Sequence, residues 1–554
     1  MGYNPVNFRF AKDLIEILTI GIAKTMRILL INPYYPISET PSPPLGLAFL
    51  AAALEAAGIE VRILDLVVYP YTKERLARTL RAFDPQFVGA TAVTMNFEHA
   101  AGVIRDVKAI APDILTVMGG PHVTFCARET MEACPEIDFI VLGEGEETLV
   151  ELVRAYQNGS NWENIKGIAY QDQGRPVLTA PKDPIQDIDT LPEPARHLIP
   201  LGRYRALGLP ISMTTSRGCP FQCIFCVGRK MVGARTRYRN PKKIVDELVY
   251  LSTLDFHQIN IADDLFTASK KHCMTVCDEI IQRKLKIQWT SFARVDTVSR
   301  PVLERMKQAG CTAVSFGVES GSPEILTTIK KGITLNQVVD AVTMCNNVGV
   351  TPQASFILGL PGETLQTLQQ TVAFAEQLKG MGVLHGYHLL APFPGTDVRE
   401  NRQAYDIQIM SNDWNDYHAN KAIVRTSAVD QQILDDIVKD WQKNFDTWLD
   451  DIKQRRDSGE ATEEEAWPLT NLEHIVLIYD LMMKQVLENI GWIPCKKPGT
   501  SSKNKLAQLA DHMNGTISHT PEQLRKTLQF ATARGYLTKD QAEEQCRWKW
   551  IDYL

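Results

Sequence analysis

Three cysteines within eight residues, Cys219, Cys223 and Cys226, constrain this chain more than any other feature. Their spacing is C-x3-C-x2-C, and Ser216-Arg217-Gly218 leads into them from a β-like stretch that begins at Ile211. Thiolates hold iron–sulfur clusters, and a four-iron cluster usually takes four of them. Three close thiolates without a fourth leave one iron open to an outside ligand, which can bind there and receive an electron. The competing reading is a structural zinc, which needs four ligands in a closed tetrahedron. His197 and His257 are the nearest histidines and no second paired-cysteine unit follows, so the spacing favours a cluster.

The motif resembles the signature of the radical S-adenosylmethionine (SAM) superfamily, and Phe225 matches the aromatic residue common between the last two cysteines there. The resemblance implies an oxygen-sensitive [4Fe-4S] cluster with Cys219, Cys223 and Cys226 as its metal ligands and catalytic residues. It implies that SAM chelates the open iron and is cleaved, on one-electron reduction, to methionine and a 5′-deoxyadenosyl radical. The electron would come from an external donor such as a flavodoxin or ferredoxin.

The remaining bulk properties narrow the setting. A chain of 554 residues has room for about three or four domains. Lys and Arg total 59 against 65 Asp and Glu, a formal net charge of −6, which argues against nucleic acid as a partner because such domains carry a basic excess. Eleven cysteines in this length are too sparse for a disulfide scaffold and suit a reducing cytoplasm. Cys126, Cys134, Cys311, Cys345, Cys495 and Cys546 read as ordinary buried or free thiols, and Cys273 and Cys277 share one face of a helix. No apolar run reaches the 18 or so residues of a membrane span. Residues 1–25 contain Asp13, Glu16 and Lys24, a poor secretory signal, and read as an extension before a natural start at Met26.

From Met26 to about residue 175 apolar strand candidates alternate with helical stretches: Ile28–Asn32, Val61–Leu64, Phe87–Thr91, Leu115–Met118 and Phe139–Leu142. This rhythm predicts an α/β domain with a mainly parallel, Rossmann-like (flavodoxin-type) sheet, whose ligand sits outside the carboxyl ends of the strands. Those ends carry Asn32-Pro33-Tyr34-Tyr35, Thr91-Ala92-Val93-Thr94, Gly119-Gly120-Pro121-His122 and Gly143-Glu144-Gly145-Glu146. Glycines there let a bulky ligand approach the backbone; singly, each pair could be only a tight turn.

Pro43-Pro44-Leu45-Gly46-Leu47 and the two glycine-rich ends resemble the cobalamin-binding domain that precedes the barrel in many radical SAM enzymes. The resemblance places cobalamin against Thr91, Val93, Gly119, Gly120, His122, Gly143 and Glu144. The Asp-x-His-x-x-Gly loop that supplies a lower cobalt ligand in many cobalamin proteins is absent after the first strand. His122 therefore reads as a loop or tail-binding histidine, and the resemblance implies a cobalt without a protein histidine below it.

Seven prolines between residues 176 and 210 disfavour regular structure and predict an inter-domain linker. From Ile211 to about residue 400 the β/α rhythm resumes, with six strands whose polar tips share one end, predicting a partial (β/α)6 barrel with its chemistry on that face. The tips hold the cysteines, Asp263-Asp264, Arg294, Glu319-Ser320, Gly359 through Thr364, and Pro392 through Thr396 after a strand at His388–Ala391. Asp263 or Asp264 suits the ammonium of SAM, Arg294 its carboxylate or the cluster, Glu319 the ribose, and Gly359 with Gly362 the adenine. Glu319-Ser320 lie in Gly-Val-Glu-Ser-Gly, which supports the same SAM-binding resemblance.

Residues 401–554 turn helical and charged, a C-terminal cap over the substrate, with Asp450–Glu465 a solvated helix and loop. Trp467, Trp492, Trp548 and Trp550 are expected in a packed cap, and Lys496–Ser502 in a flexible loop. The whole chain resembles the cobalamin-dependent radical SAM enzymes, the group that includes the anaerobic magnesium-protoporphyrin ester cyclase. That resemblance implies a methyltransferase moving a methyl group from methylcobalamin to an unactivated carbon of a small-molecule or peptide substrate, after hydrogen abstraction by the deoxyadenosyl radical. A cyclase or rearrangement enzyme is the alternative; a non-catalytic cobalamin sensor would not need the cysteines.

Overall fold

The computed structural model describes residues 25–36, 40–494, 502–541 and 545–554. The expected N-terminal extension before Thr25 and the expected loop before Ser502 lie outside them.

The first sheet contains β1 (Arg27–Asn32), β2 (Glu60–Asp65), β3 (Phe87–Thr91), β4 (Leu115–Gly119), β5 (Phe139–Val141), β6 (Ile168–Asp172) and β7 (Arg175–Leu178). Their order is β2-β1-β3-β4-β5-β6-β7. The first five run parallel, in the flavodoxin-type order with a switch point between β1 and β3. Strand β1, RILLIN, is a near-continuous apolar run with its four central residues buried, as a strand covered on both faces must be. Separate apolar clusters fill the two faces of the sheet. The antiparallel hairpin of β6 and β7 extends the far edge, an addition to the expected rhythm.

The proline-rich stretch is more ordered than expected. Strand β7 takes its first residues, and Leu201–Ala206 form a helix directly after Pro200, which stands before the helix and removes no bond within it. Tyr204 of that helix is fully buried and donates to Asp65 Oδ2 at 2.8 Å, while Asn32 Nδ2 donates to Asp65 Oδ1 at 2.9 Å. Burial pushes the Asp65 carboxyl up to about 6. The carboxyl ends of β1 and β2 are thereby knitted to the helix that leads into the second sheet.

The second sheet contains β8 (Ile211–Met213), β11 (Ile259–Ile261), β12 (Trp289–Ala293), β13 (Cys311–Glu319), β14 (Thr351–Leu358) and β15 (Leu384–Leu389). A short antiparallel pair, β9 (Ser216–Arg217) with β10 (Arg237–Tyr238), comes after β8 in the chain. The six strands are parallel in the order β15-β14-β13-β12-β11-β8, a barrel open on one side. Strand β15 starts four residues before the expected His388 because pairing with β14 runs from Gln353↔Leu384 to Leu358↔Leu389; tertiary pairing decides the boundary.

Beyond the barrel, β16 (Gln408–Ile409) pairs with β17 (Val424–Arg425). Helices Gln431–Asp457 and Glu463–Met483 form a hairpin joined by Arg456–Glu473 at 2.8 Å and Arg455–Glu465 at 2.7 Å. The helical cap also carries an unexpected antiparallel sheet of β18 (Trp492–Pro494), β19 (Leu537–Gln541) and β20 (Gln545–Trp550). Trp548 and Trp550 are buried there, whereas Trp467 stays 43% exposed, so only part of the expected tryptophan packing forms. Cys546 is disulfide-bonded, which corrects its reading as an ordinary thiol; Cys273 and Cys277 are core residues. Among the described residues no helix is long and apolar enough to cross a membrane.

Candidate functional site

The cysteine loop leaves the top of β8 and is pinned at its root. Pairing of Ser216 and Arg217 with Tyr238 and Arg237 closes the loop. Asp263, at the tip of β11, accepts from the amide and hydroxyl of both Thr215 and Ser216, at 2.5 to 3.1 Å. Buried and fully occupied, with its carboxyl pushed up to about 6 by burial, Asp263 holds the loop instead of reaching a ligand. Its neighbour Asp264 accepts from the Gly218 amide at 2.9 Å and faces the barrel cavity.

Cys219 and Cys223 are half-buried and Cys226 is exposed. Arg294 stands beside them: its guanidinium lies 3.6 Å from the Phe221 ring centroid and Nη1 is 3.9 Å from Cys223 Sγ. Two bonds of 2.9 Å to Asp296 and one of 2.6 Å to the Lys331 carbonyl fix it. Burial pushes the Cys223 thiol up while Lys331 and Arg294 pull it down. Among the described residues no three His, Cys, Asp or Glu side chains form a single-ion cage. A cluster does not require one, because each thiolate takes a different iron. Three cysteines on one tethered loop, under two cations, fit such a cluster.

The neighbouring barrel tips form a charged wall. Glu319 Oε1 accepts from Lys331 Nζ at 2.7 Å, both side chains under 10% exposed. A register shift between Gly317 and Glu319 and a φ of 70° at Glu319 re-aim the carboxylate, as bulges do near sites. Gly317 leaves room for the pair as it stands: a Cβ there would come within 2.3 Å of Glu319 Oε1 and 3.0 Å of Lys331 Nζ, so the two side-chain ends would have to shift. Beneath lies a cavity of about 500 Å³ lined by Asp264, Arg294, Gly317, Lys331, Ser355 and Gly386. Two expected contacts point elsewhere. Ser320 is buried against Thr371 at 3.1 Å, and a Cβ on Gly359 would meet Val424 Cγ2 at 2.7 Å. The Gly359 amide donates instead to the buried Glu363.

On the first sheet, the glycine-rich ends border a mainly apolar cavity of about 370 Å³ that reaches in to Leu30, Gly89 and Val117. Thr91, Gly119, Gly120, Gly143 and Glu144 all line it. Gly120 has φ 102°, and a Cβ there would sit 2.6 Å from the Ala92 carbonyl oxygen, so the close turn admits glycine alone. A second cavity of about 410 Å³ lies at the switch point, lined by Asn32, Tyr35, Val93 and Asn96. It shares Gly46, Leu47 and Thr91 with the first, and the first shares Asp264 with the barrel cavity. Tyr35 thus faces the switch-point cavity. Tyr34 packs edge-on to His99 at 5.1 Å and lies close to Tyr479 of the cap. A deep apolar slot with a glycine rim fits the tail of a large planar cofactor.

His122 lies outside these cavities. It is 1% exposed, stacked on Phe97 at 4.3 Å with Trp414 edge-on at 4.8 Å, and its Nδ1 is 3.3 Å from Thr94 Oγ1. Burial, with Arg399 nearby, pushes it down to about 4. It is a neutral packing residue behind the loop. Glu144, expected as a cofactor contact, also bridges the two sheets: it accepts from Arg217 at 3.1 Å and from Arg237 at 2.7 Å, with Glu146 taking Arg217 at 2.7 Å. Burial pushes the Glu144 carboxyl up, but the two arginines hold it below the usual range.

Strand tips alone do not reveal Lys331, Phe221 and Arg237, nor that Glu146 and Arg217, both named from the sequence, pair with each other. Lys331 lies in a turn with no strand tip to announce it; only the fold brings it to Glu319.

A model of the B12 binding domain matches residues 38–153, and one of the radical SAM superfamily matches residues 213–375. The chain is 38% identical over 402 residues to an uncharacterized methyltransferase of Pyrococcus horikoshii, across 71% of this chain and 86% of that protein. It is 30% identical over 439 residues to the anaerobic magnesium-protoporphyrin IX monomethyl ester cyclase of Cereibacter sphaeroides, across 76% and 70%. The solved structure of the cobalamin-dependent radical enzyme OxsB, with aqua-cobalamin and SAM bound, shares its fold: TM-score 0.67 over 94% of this chain and 82% of that one, at 18% identity. The chain therefore belongs to the B12-binding radical SAM enzymes, whose cofactors, a [4Fe-4S] cluster, SAM and cobalamin, are its own.

Proposed function

We propose that this enzyme is a methyltransferase that delivers a methyl group to an unactivated carbon of a small molecule or peptide. One observation carries the reading: three cavities run in series from the switch point of the first sheet to the barrel, meeting at Gly46, Leu47 and Thr91 and again at Asp264. A substrate at that junction would touch both halves. When bound, the cluster and SAM supply a carbon-centred radical and cobalamin supplies the methyl group. The residues of the chain orient and shield. Asp264 takes the ammonium of SAM, Glu319 with Lys331 its ribose, and Arg294 holds the cluster edge positive. Glycines 119, 120 and 143 with Thr91 seat the cobalamin tail. The similarity to a protein named as a methyltransferase supports the same reading. A cytoplasmic setting and an external one-electron donor belong to it.

The test uses anaerobic, cluster-reconstituted enzyme with cobalamin, reductant and methyl-labelled SAM. Label transferred to cobalt and on to a product is the expected result. A second reading, cyclisation without methyl transfer, is favoured by the 30% identity to the cyclase. Deoxyadenosine formed with no label on cobalt would replace the first reading by the second.

A further inference from the structure

Between Ile211 and Val245 the chain carries eight Lys and Arg and no Asp or Glu, in a protein whose overall formal charge is −6. The stretch contains the cysteine loop, so the imbalance sits where the cluster does. Three of its arginines turn inward: Arg217 and Arg237 pair with Glu144, and Arg239 with Glu247 and Glu193. Arg229, Lys230 and Arg235 do not: among the described residues none of the three forms a salt bridge, although the charge of Lys230 is felt by Asp397. Arg229 Nη1 donates to the Pro220 carbonyl at 2.8 Å and so borders the cysteine loop, while Lys230 Nζ donates to the Gly395 carbonyl at 2.7 Å, beyond the last barrel strand. Arg235 is exposed, two residues beyond Gly233, whose carbonyl accepts from the Cys219 amide. Lys330 joins them from another element, because Ile224 of the loop bonds the carbonyl of Ile329; its side chain is 56% exposed. The carboxylates beside them keep their charge but are held by other donors: Asp397 by Tyr405 and Asn401, with Lys330 at 3.8 Å, Glu400 by the Gly395 amide, and Asp264 by the Gly218 amide.

We infer that Arg229, Arg235 and Lys330 form the docking face for an acidic one-electron carrier protein. The inference rests on the reading that an external protein supplies the electron. Charge complementarity identifies the occupant: a cationic face on a net-acidic molecule, lying over the group to be reduced, selects an anionic partner and speeds its encounter. Transient electron-transfer interfaces are small, and a face of this kind suffices. The step would balance as one electron: the reduced carrier would lose it and the cluster held by the three cysteines would take it, with no atom transferred.

The experiment is binding of a fluorescently labelled acidic flavodoxin to the cluster-loaded enzyme, with SAM cleavage followed in parallel using either reduced flavodoxin or dithionite. In the wild type the Kd should rise steeply with ionic strength, because screening weakens contacts between exposed charges. Each of Arg229→Gln, Arg235→Glu and Lys330→Gln should raise the Kd by about three- to tenfold. Flavodoxin-driven cleavage should slow by a similar factor, with dithionite-driven cleavage unchanged. A salt-insensitive wild-type Kd would overturn the inference without any variant. So would variants that bind flavodoxin normally, or an RNA that binds this face in preference to the carrier. Loss of SAM cleavage with dithionite in the wild type would instead strike the proposed function, leaving the binding measurement to decide the docking face.

Discussion

The parallel strands of two sheets face each other across this molecule with their carboxyl ends, and the two sheets are furnished in opposite ways. The first offers glycines, a threonine and apolar side chains around a slot, with Glu144, Glu146 and Arg217, already paired to one another, at its edge. The second offers a buried ion pair, an arginine fixed by three hydrogen bonds and a loop of thiols. A bulky cofactor is held largely by shape, which needs backbone approach and excluded volume. A charged cofactor and a redox cluster are held by fixed charges, which preorganise where they are desolvated. The sheets fail differently under mutation for that reason.

The largest expected effect separates them outright. Cys219→Ala, Cys223→Ala or Cys226→Ala should remove the cluster and take SAM cleavage to background while cobalamin binding persists. Iron analysis, deoxyadenosine formation and cobalamin absorbance check it, and joint loss of both cofactors would show that the sheets are not independent.

Next comes the charged wall. Glu319→Gln leaves the Lys331 ammonium buried without its partner, which costs about 3–5 kcal/mol. Denaturant midpoints should fall accordingly, and SAM affinity with them. Pairing it with Lys331→Met should restore stability but not SAM binding; recovery of both would make the pair structural only.

On the first sheet the electrostatic lever is His122. Folded, it is neutral with its pKa pushed down to about 4; unfolded, it takes a proton near its ordinary value. Its contribution is therefore full above about pH 6.5 and is lost as pH falls toward 4, a drop of up to about 3 kcal/mol. Urea unfolding of the wild type against His122→Phe between pH 7 and 4.5 reads it, the variant showing the flatter profile.

The smallest effect tests shape. Gly120→Ala meets the Ala92 carbonyl at a φ only glycine tolerates, so about 1–3 kcal/mol of strain should appear, with cobalamin retention reduced. Gly119→Ala, whose Cβ would make an ordinary 3.6 Å contact with Val141, should remain within about 0.5 kcal/mol. Equal behaviour of the two would remove the argument from close approach.

Much of this arrangement is legible in one dimension. Cys219, Cys223 and Cys226 announce themselves because cluster ligation needs a fixed spacing on a short loop. Strands β1, β3 and β4 read as apolar runs because both their faces are covered. Strand β20 is also readable, since Cys546, Trp548 and Trp550 alternate with exposed residues, but its short period is masked by the helical stretches around it. The helix at Leu201 hides behind prolines whose number suggests disorder and whose positions, outside the helix, permit it. Asp263 and Asp264 cannot be told apart in the sequence, since adjacent residues at a strand tip differ only in which way the chain turns them.

Local chemistry was thus decided by the sequence itself: thiol spacing, glycine at crowded turns and the β/α rhythm follow from bond geometry and side-chain size, which act over a few residues. The tertiary structure alone decided the pairings. Lys331 reaches Glu319 across twelve positions, Arg217 reaches Glu144 across 73, and Tyr204 reaches Asp65 across 139. Burial is what gives each of these contacts its weight, and burial belongs to the packed molecule, because a charge or hydroxyl loses its water only when distant segments close over it.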